Sequence, residues 1–264
     1  HVASAQAPAG TNGNDTPGVV PPIAGTVTED QILTADTRGI SDADGLGAFS
    51  YQWLRGGVAI GGATASTYSL GDADVGNQIS VRISYTDGQG TSEGPLTSAQ
   101  TAAVTNVNDT PVGVPAITGT VTEDQILTAD TSGISDADGL GAFSYRWLRD
   151  GVDIGGAISS TYRLVQADVD TRISESVSYT DGENTAESIT SAQTVLVVNV
   201  NDDPAGSPAI SGIAKQGNLL TADTSGITDA DGLGGFNYQW LRDGVDIAGA
   251  AASTYTLVQA DVAS

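Results

Sequence analysis

Apolar and polar side chains alternate along the chain, most clearly at every second position from Ile79 to Tyr85. Successive side chains of a strand point to opposite faces of a sheet, so this period of two predicts a half-buried β-strand. Asp-Gly pairs favour tight turns between such strands, and they occur at Asp150-Gly151, Asp181-Gly182 and Asp243-Gly244. The pattern predicts an all-β chain.

The same segments recur at a nearly fixed distance. Thr26–Thr37 is repeated as Thr120–Thr131, 94 residues later. A second segment, Ser41–Tyr51, returns as Ser135–Tyr145 and, with small changes, as Thr228–Tyr238. A tryptophan follows each copy, at Trp53, Trp147 and Trp240. Because each unit is long enough for about seven short strands, the repeat predicts tandem β-sandwiches, each with an aliphatic core around one Trp.

The period also predicts where the units begin and end. Residues 1–17 are interpreted as the tail and linker of a preceding repeat, 18–109 as repeat 1, 110–202 as repeat 2 and 203–264 as an incomplete repeat 3 that lacks its final strands. We therefore expect a section of a longer array. The alternative is a self-assembling filament subunit whose third repeat is completed by a strand from another chain.

The amino-acid composition disfavours several classes of function. Nine Lys and Arg stand against 32 Asp and Glu, a formal charge of −23, which disfavours binding to nucleic acid or anionic lipid. There is no Cys, His1 is the only His and Lys215 is the only Lys. Since nucleophilic and acid–base catalysis lack their usual residues, we expect no enzyme. No apolar run of about 18 residues predicts a membrane span, and the acidic, Cys-free composition favours a secreted or surface protein of a bacterium.

A further pattern surrounds each tryptophan. In repeat 1 it consists of Tyr51–Arg55, Ile60–Ala63 and Ser66–Leu70. This pattern resembles strands C to E of immunoglobulin-like domains, in which a Trp on strand C fills the centre of the sandwich. The whole unit resembles the tandem immunoglobulin-like and cadherin-like repeats of large bacterial surface adhesins, including those with RTX calcium modules. That resemblance implies immunoglobulin-like β-sandwich domains arranged end to end on a cell surface.

Carboxylates recur in the loops of every unit. Glu29-Asp30 would lie in the A–B turn and Asp74 in the E–F turn, at the pole of the sandwich next to the departing linker Asn106–Asp109. The Asp-Ala-Asp segment that begins at Asp136 would lie in the B–C loop of the next repeat, at the facing pole. Ca²⁺ takes six to eight oxygen ligands, so acidic groups that converge on one junction predict a calcium site.

This arrangement resembles cadherin junctions, whose linkers carry an Asp/Asn run and whose next domain carries an Asp-Ala-Asp motif. The resemblance implies a first site of Glu29, Asp74, Asn106, Asn108, Asp109, Asp136, Asp138 and Asp181. It implies a second site of Glu123, Asp168, Asn199, Asn201, Asp202, Asp229 and Asp231. The linker begins with Asn where cadherins have Asp, so we expect fewer ions at each junction. Repeat 3 has Gln216-Gly217 in place of Glu29-Asp30, which predicts a weak or missing site below it.

Two alternatives remain open. Asp-Gly and Asn-Asp pairs form turns without any metal, and acidic loops keep repeats soluble and prevent edge strands from pairing.

Glu175 occupies the position of Val81, on the core-facing side of its predicted strand. Glu175 is either buried with a raised pKa, or turned outward by a bulge in the strand. Because burial of a charge costs several kcal/mol, we expect the second, a local slip that turns Glu175 to solvent.

These observations predict a structural extracellular spacer or stalk of a bacterial adhesin or surface fibre, stiffened by calcium at its junctions. Its partners would be neighbouring repeats of the same chain or like chains in a fibre, with no nucleic acid and no membrane insertion. The alternatives are the self-assembling filament subunit and a carbohydrate-binding module, which would need exposed aromatic side chains.

Overall fold

The computed structural model describes residues 13–262. The predicted final strand of a preceding repeat falls on residues 1–12, outside the described residues. Within the described range, almost all regular structure is antiparallel β-sheet. The predicted all-β, multi-domain β-sandwich fold is confirmed. No helix among residues 13–262 is long and apolar enough to cross a membrane.

The first set of strands forms two sheets. The strands are β1 (Ile23–Ala24), β2 (Ile32–Ala35), β3 (Ser50–Arg55), β4 (Val58–Ala59), β5 (Thr67–Ser69), β6 (Ile79–Thr86) and β7 (Ser92–Thr97). One sheet has the order β1-β2-β5 and the other β4-β3-β6-β7. A short 3₁₀ turn, Asp72–Asp74, leads from β5 into β6. The alternating segment is thus a strand, as predicted.

The second set of strands repeats this topology. Its strands are β8 (Ala116–Thr118), β9 (Ile126–Asp130), β10 (Ser144–Arg149), β11 (Val152–Asp153), β12 (Thr161–Arg163), β13 (Ile173–Thr180) and β14 (Ala186–Thr190). The sheets have the orders β12-β9-β8 and β11-β10-β13-β14, and the 3₁₀ turn is Gln166–Asp168. Asp150 and Gly151 adopt φ of 46° and 82°, and these left-handed conformations form the predicted tight turn between β10 and β11.

The third set of strands is shorter. Its strands are β15 (Ala209–Gly212), β16 (Leu219–Asp223), β17 (Leu241–Arg242), β18 (Val245–Asp246) and β19 (Thr254–Thr256). They form the sheets β15-β16-β19 and β17-β18, followed by the 3₁₀ turn Gln259–Asp261. Leu241 is 55% exposed, whereas its counterpart Leu54, which pairs with Ser80 of β6, is 1% exposed.

Two compact units divide the chain. The first runs to Val112 and takes in Ser135–Ala142 and Tyr179–Glu187. The second comprises Gly113–Ile134, Phe143–Ser178 and the chain from Ser188 onward.

Each tryptophan is a core side chain, as predicted. Trp53 and Trp147 are fully buried and Trp240 nearly so. The Trp53 ring stacks on Tyr68 with centroids 5.6 Å apart, and its indole Nε1 donates to the Ala65 carbonyl at 2.9 Å. This hydrogen bond lets the large apolar ring be buried without an unpaired donor.

A partly buried ion pair recurs beside each tryptophan. In the first unit, Arg55 Nε donates to Asp74 Oδ1 at 2.7 Å, and the Tyr68 hydroxyl donates to Asp74 Oδ2 at 2.9 Å. The Gly71 amide donates to Asp74 Oδ2 as well, which closes the 3₁₀ turn. The same contacts join Arg149, Tyr162 and Asp168, and again Arg242, Tyr255 and Asp261. The recurrence of these aspartates is therefore explained by folding.

The expectation for Glu175 is wrong. Strand β13 continues without a bulge there, and Glu175 pairs with Trp147 in the same register as Val81 with Trp53. Its side chain is fully buried. The unbroken pairing of β10 with β13 fixes which face each residue takes, so one carboxylate is held in the core against its solvation cost.

Candidate metal centres

Three carboxylates from separate segments meet in the first unit: those of Glu29, Asp109 and Asp138. Each contributes one oxygen to a group whose members all lie within 4.8 Å of one another. Two oxygens that bind the same Ca²⁺ at about 2.4 Å each are at most about 4.8 Å apart. The spacing therefore fits ligands of a single ion. We call this group the first cluster.

Glu29 is held in place by the segment that precedes Asp109. Its amide donates to the Thr105 carbonyl at 3.0 Å, and its Oε2 accepts from the Val107 amide at 3.1 Å. The side chain is only 1% exposed, and Oε1 has no hydrogen-bond partner among the described residues. Asn106, between the two backbone partners of Glu29, has a buried Oδ1 that also lacks one. Two buried oxygen acceptors thus lack a donor at this place.

The Asp-Ala-Asp segment positions the other carboxylate. Asp136 Oδ1 accepts from the Asp138 amide at 3.0 Å, and Asp136 Oδ2 accepts from the Tyr179 hydroxyl. Asp138 Oδ2 in turn accepts from the Asp109 amide at 2.7 Å. Asp136 therefore shapes the loop, while Asp138 and Asp109 carry the clustered carboxylates.

The first cluster is electrostatically strained. Burial, and then the nearby carboxyls of Asp72 and Asp109, raise the pKa of Glu29 to about 7, against the lowering effect of the Val107 amide. Burial raises the pKa of Asp109 too, followed by the charges of Asp72 and Asp138. Like charges that cannot separate favour a proton or a cation between them. Asp72, which the sequence analysis did not select, belongs to this set.

A second cluster has the same construction in the second unit. Oxygens of Glu123, Asp202 and Asp231 lie within 4.8 Å of one another. The Val200 amide donates to Glu123 Oε2 at 3.2 Å, and the Asp202 amide donates to Asp231 Oδ2 at 2.7 Å. The electrostatics differ, because the Asp202 amide and then the side chain of Asn199 hold the pKa of Asp231 below its usual range.

Asp74 and Asp168 belong to neither cluster. Both of their carboxylate oxygens already accept from an Arg–Tyr pair and a backbone amide. We therefore assign them a structural role in place of the ligand role that the sequence predicts.

The remaining predicted ligands lie around the clusters. Asn108 Nδ2 donates to Glu187 Oε1 at 2.9 Å, and Asn201 Nδ2 donates to the Asp202 carbonyl at 2.9 Å. Asp181 Oδ1 accepts from two amides of the β13–β14 turn, while its buried Oδ2 has no partner in the described part of the chain. Asp229 Oδ1 accepts from the Asp231 amide, as Asp136 does from Asp138. These four side chains shape the loops that carry the clusters.

The groups that form both clusters are carboxylates, which would bind a metal through oxygen. Carboxylate, amide and backbone oxygens suit hard cations such as Ca²⁺ and Mg²⁺, whereas Zn²⁺ and Cu²⁺ favour nitrogen and sulfur. The buried Oε1 of Glu29, which no donor of the described part of the chain reaches, is the observation that fits a cation, since turn formation alone leaves that atom unsatisfied.

Comparison with known proteins identifies no family for this chain. No family model matches the chain, and no curated protein is similar to it in sequence. Among solved structures, the FN1–FN3 domains of chicken CNTN1 are 15% identical, with 80% of this chain and 76% of that chain covered and a TM-score of 0.26. Three N-terminal domains of the bacteriophage RB49 highly immunogenic outer capsid protein are 16% identical, with coverage of 88% and 81% and a TM-score of 0.26.

Proposed function

We propose that this chain is a structural spacer of an extracellular bacterial adhesin or surface fibre, and that Ca²⁺ binds at the first and second clusters. Its immediate partners are neighbouring repeats of the same long chain or like chains in a fibre. Its role is mechanical and involves no catalysis. The acidic composition, with nine Lys and Arg against 32 Asp and Glu, suits a calcium-rich medium.

One observation carries the calcium proposal. Glu29 is buried and its Oε1 has no hydrogen-bond donor within residues 13–262, and it lies in the same group as the carboxylates of Asp109 and Asp138. A protein gains nothing from an anion buried in this way unless a cation or a proton compensates it. Ca²⁺ would join the β1–β2 turn, the linker and the β9–β10 loop through one ion, and would so stiffen the chain at that point.

Nothing in the described residues favours either alternative function. The three tryptophans are core residues, so none of them offers the stacking surface that a carbohydrate-binding module uses. The donor strand that a strand-exchanged filament requires falls outside the described residues, so no observation favours that function over the spacer.

Thermal unfolding in EDTA, in millimolar Ca²⁺ and in millimolar Mg²⁺ tests the calcium proposal. If Ca²⁺ binds only the folded chain, a concentration about 100-fold above Kd adds about 2.7 kcal/mol of stability. We expect a rise in Tm with Ca²⁺ that Mg²⁺ does not reproduce. An equal rise with both ions, or none, would contradict the proposal.

A matched pair of variants tests whether the two clusters cause the Ca²⁺-dependent rise in Tm. Glu29→Gln combined with Glu123→Gln removes one carboxylate from each cluster, and we expect it to abolish the Ca²⁺-dependent rise in Tm. Glu183→Gln removes one negative charge from an exposed turn residue, as each substitution of the pair does at its cluster, and should leave the rise intact. If both variants respond alike, calcium acts through net charge and the clusters are not its sites.

A further inference from the structure

The two clusters differ at one position. Asp72 is the first residue of the 3₁₀ turn that precedes β6, and Gln166 is the first residue of the corresponding turn, 94 residues later. With these residues included, four carboxyl groups lie at the first cluster, and three carboxyl groups and a primary amide lie at the second. An amide carries both a hydrogen-bond donor and an acceptor, whereas a carboxylate only accepts.

At the first cluster, Asp72 adds to the repulsion. Its carboxyl lies within hydrogen-bonding reach of Glu29, whose Oε1 has no donor among the described residues. Two ionised carboxylates cannot satisfy one another, because neither has a hydrogen to donate. Without a cation the negative charges of this cluster are uncompensated, and a divalent ion would neutralise them.

At the second cluster, Gln166 occupies the corresponding place. With its amide nitrogen turned toward the carboxylates, it donates to Glu123 Oε1 at 3.0 Å and to Asp202 Oδ2 at 3.2 Å. In the opposite orientation the nitrogen lies 3.3 Å from Asn199 Oδ1, and the carbonyl oxygen is turned toward the two carboxylates. The first orientation satisfies the carboxylates of the metal-free chain, whereas the second sets a carbonyl oxygen against two other acceptors. A half-turn about the last side-chain bond would exchange the two orientations without a backbone change.

We propose that Gln166 is an internal substitute for the cation: its amide hydrogens satisfy Glu123 and Asp202 when no metal is bound, and its carbonyl oxygen becomes a ligand when Ca²⁺ enters. This inference rests on the proposed function. It has a thermodynamic consequence, because Ca²⁺ must displace two charge-assisted hydrogen bonds at the second cluster and gains one fewer negative ligand. The first cluster binds Ca²⁺ more tightly, by about tenfold or more, and the chain fills its two sites in a fixed order.

Calorimetric titration of the chelator-stripped full chain with CaCl₂ tests the order of filling. We expect two steps whose dissociation constants differ by about tenfold or more. Glu29→Gln should remove the tight step and Glu123→Gln the weak one, which assigns each step to its cluster. Absence of any Ca²⁺-specific binding overturns the proposed function together with this inference, whereas two equal steps overturn this inference alone.

Exchange of the two side chains is the decisive experiment. Gln166→Asp should tighten the weak step by about tenfold and merge it with the other, and Asp72→Gln should weaken the tight step by a similar factor. Neither position is in a core cluster, and an unchanged far-ultraviolet circular dichroism spectrum would show that both variants fold. If affinities stay as in the original chain, the residue at this position does not set them.

A second measurement observes the amide itself. In the metal-free chain, the side-chain NH₂ of Gln166 should show protected, shifted resonances in a ¹⁵N spectrum, because both hydrogens face carboxylates. Ca²⁺ should move those resonances toward values of an exposed amide over the concentration range of the weak step. Resonances that are exposed-like without Ca²⁺ and unmoved by it would contradict the substitution.

Discussion

Glu175 lies directly opposite Trp147 in the β10–β13 pair, fully buried, and neither of its carboxylate oxygens has a hydrogen-bond partner among the described residues. In the first unit the same position pairs Val81 with Trp53. The second set of strands thus carries a carboxyl group where the first has a small apolar side chain. Burial raises the pKa of Glu175 from its usual 4.5 to about 7.

We predict that this side chain makes stability depend on pH. Because the pKa is raised in the folded state, ionisation of Glu175 costs nothing below about pH 4.5, where the carboxyl is neutral in both states. The unfolded chain ionises above that pH while the folded one does not, so stability falls up to about pH 7. A shift of this size corresponds to about 3 kcal/mol. Glu175→Val should therefore stabilise the second unit at pH 7 by about that amount. At pH 4.5, where the carboxyl is largely neutral in the folded state, the part of the stabilisation that comes from ionisation should be small.

Urea unfolding of Glu175→Val at both pH values checks this prediction, and Glu175→Gln separates charge from polarity. The control is Glu183→Gln at the exposed turn, which should change stability little at either pH. A stabilisation by Glu175→Val that is equal at pH 4.5 and pH 7 would show that ionisation is not the cause.

A second prediction concerns Asp168, which binds Arg149 and Tyr162 in the second unit. Asp168→Asn should destabilise that unit by about 2–4 kcal/mol, because Arg149 keeps a partly buried charge without its partner. The loss should be the same in EDTA and in Ca²⁺, with calorimetric Ca²⁺ affinity unchanged. Selective loss of Ca²⁺ binding would restore the ligand role that the sequence predicts for this residue.

A third prediction concerns the close approach of Gly141 to strand β13. A Cβ at Gly141 would lie 1.9 Å from the Thr180 carbonyl oxygen, whereas a Cβ at the corresponding Gly234 would meet nothing within 4 Å. Backbone atoms cannot yield cheaply, so Gly141→Ala should destabilise the first unit by about 1–3 kcal/mol. Gly234→Ala is the matched control and should be close to neutral. Chemical denaturation of both variants measures the difference, and equal effects would contradict the steric explanation.

Most of the clustered carboxylates were among the predicted ligands, and one residue beside the first cluster was not. Glu29, Asp109 and Asp138 were predicted and do lie together, because turns at the ends of strands can be located from the repeat. Asp72 was missed and Asp74 selected in its place, since Asp74 recurs in every repeat while position 72 is Gln166 in the next. An aspartate that recurs in every repeat proved to be one that the fold requires. Asp72 could have been found from the opposite pattern, because it is a polar position whose residue changes between repeats that otherwise match.

The sequence by itself determined the architecture: strands from an alternation of period two, tandem β-sandwiches from the 94-residue repeat, and a core tryptophan in each repeat. These are local or periodic properties, which need no knowledge of distant contacts. Only the tertiary structure decided the use of each carboxylate. Arg55 lies 19 residues from Asp74, and Asp109 lies 80 residues from Glu29. Hydrogen-bond partners and burial depend on which distant segments pack together, and that is how Glu175 came to be buried and Asp74 to bind an arginine.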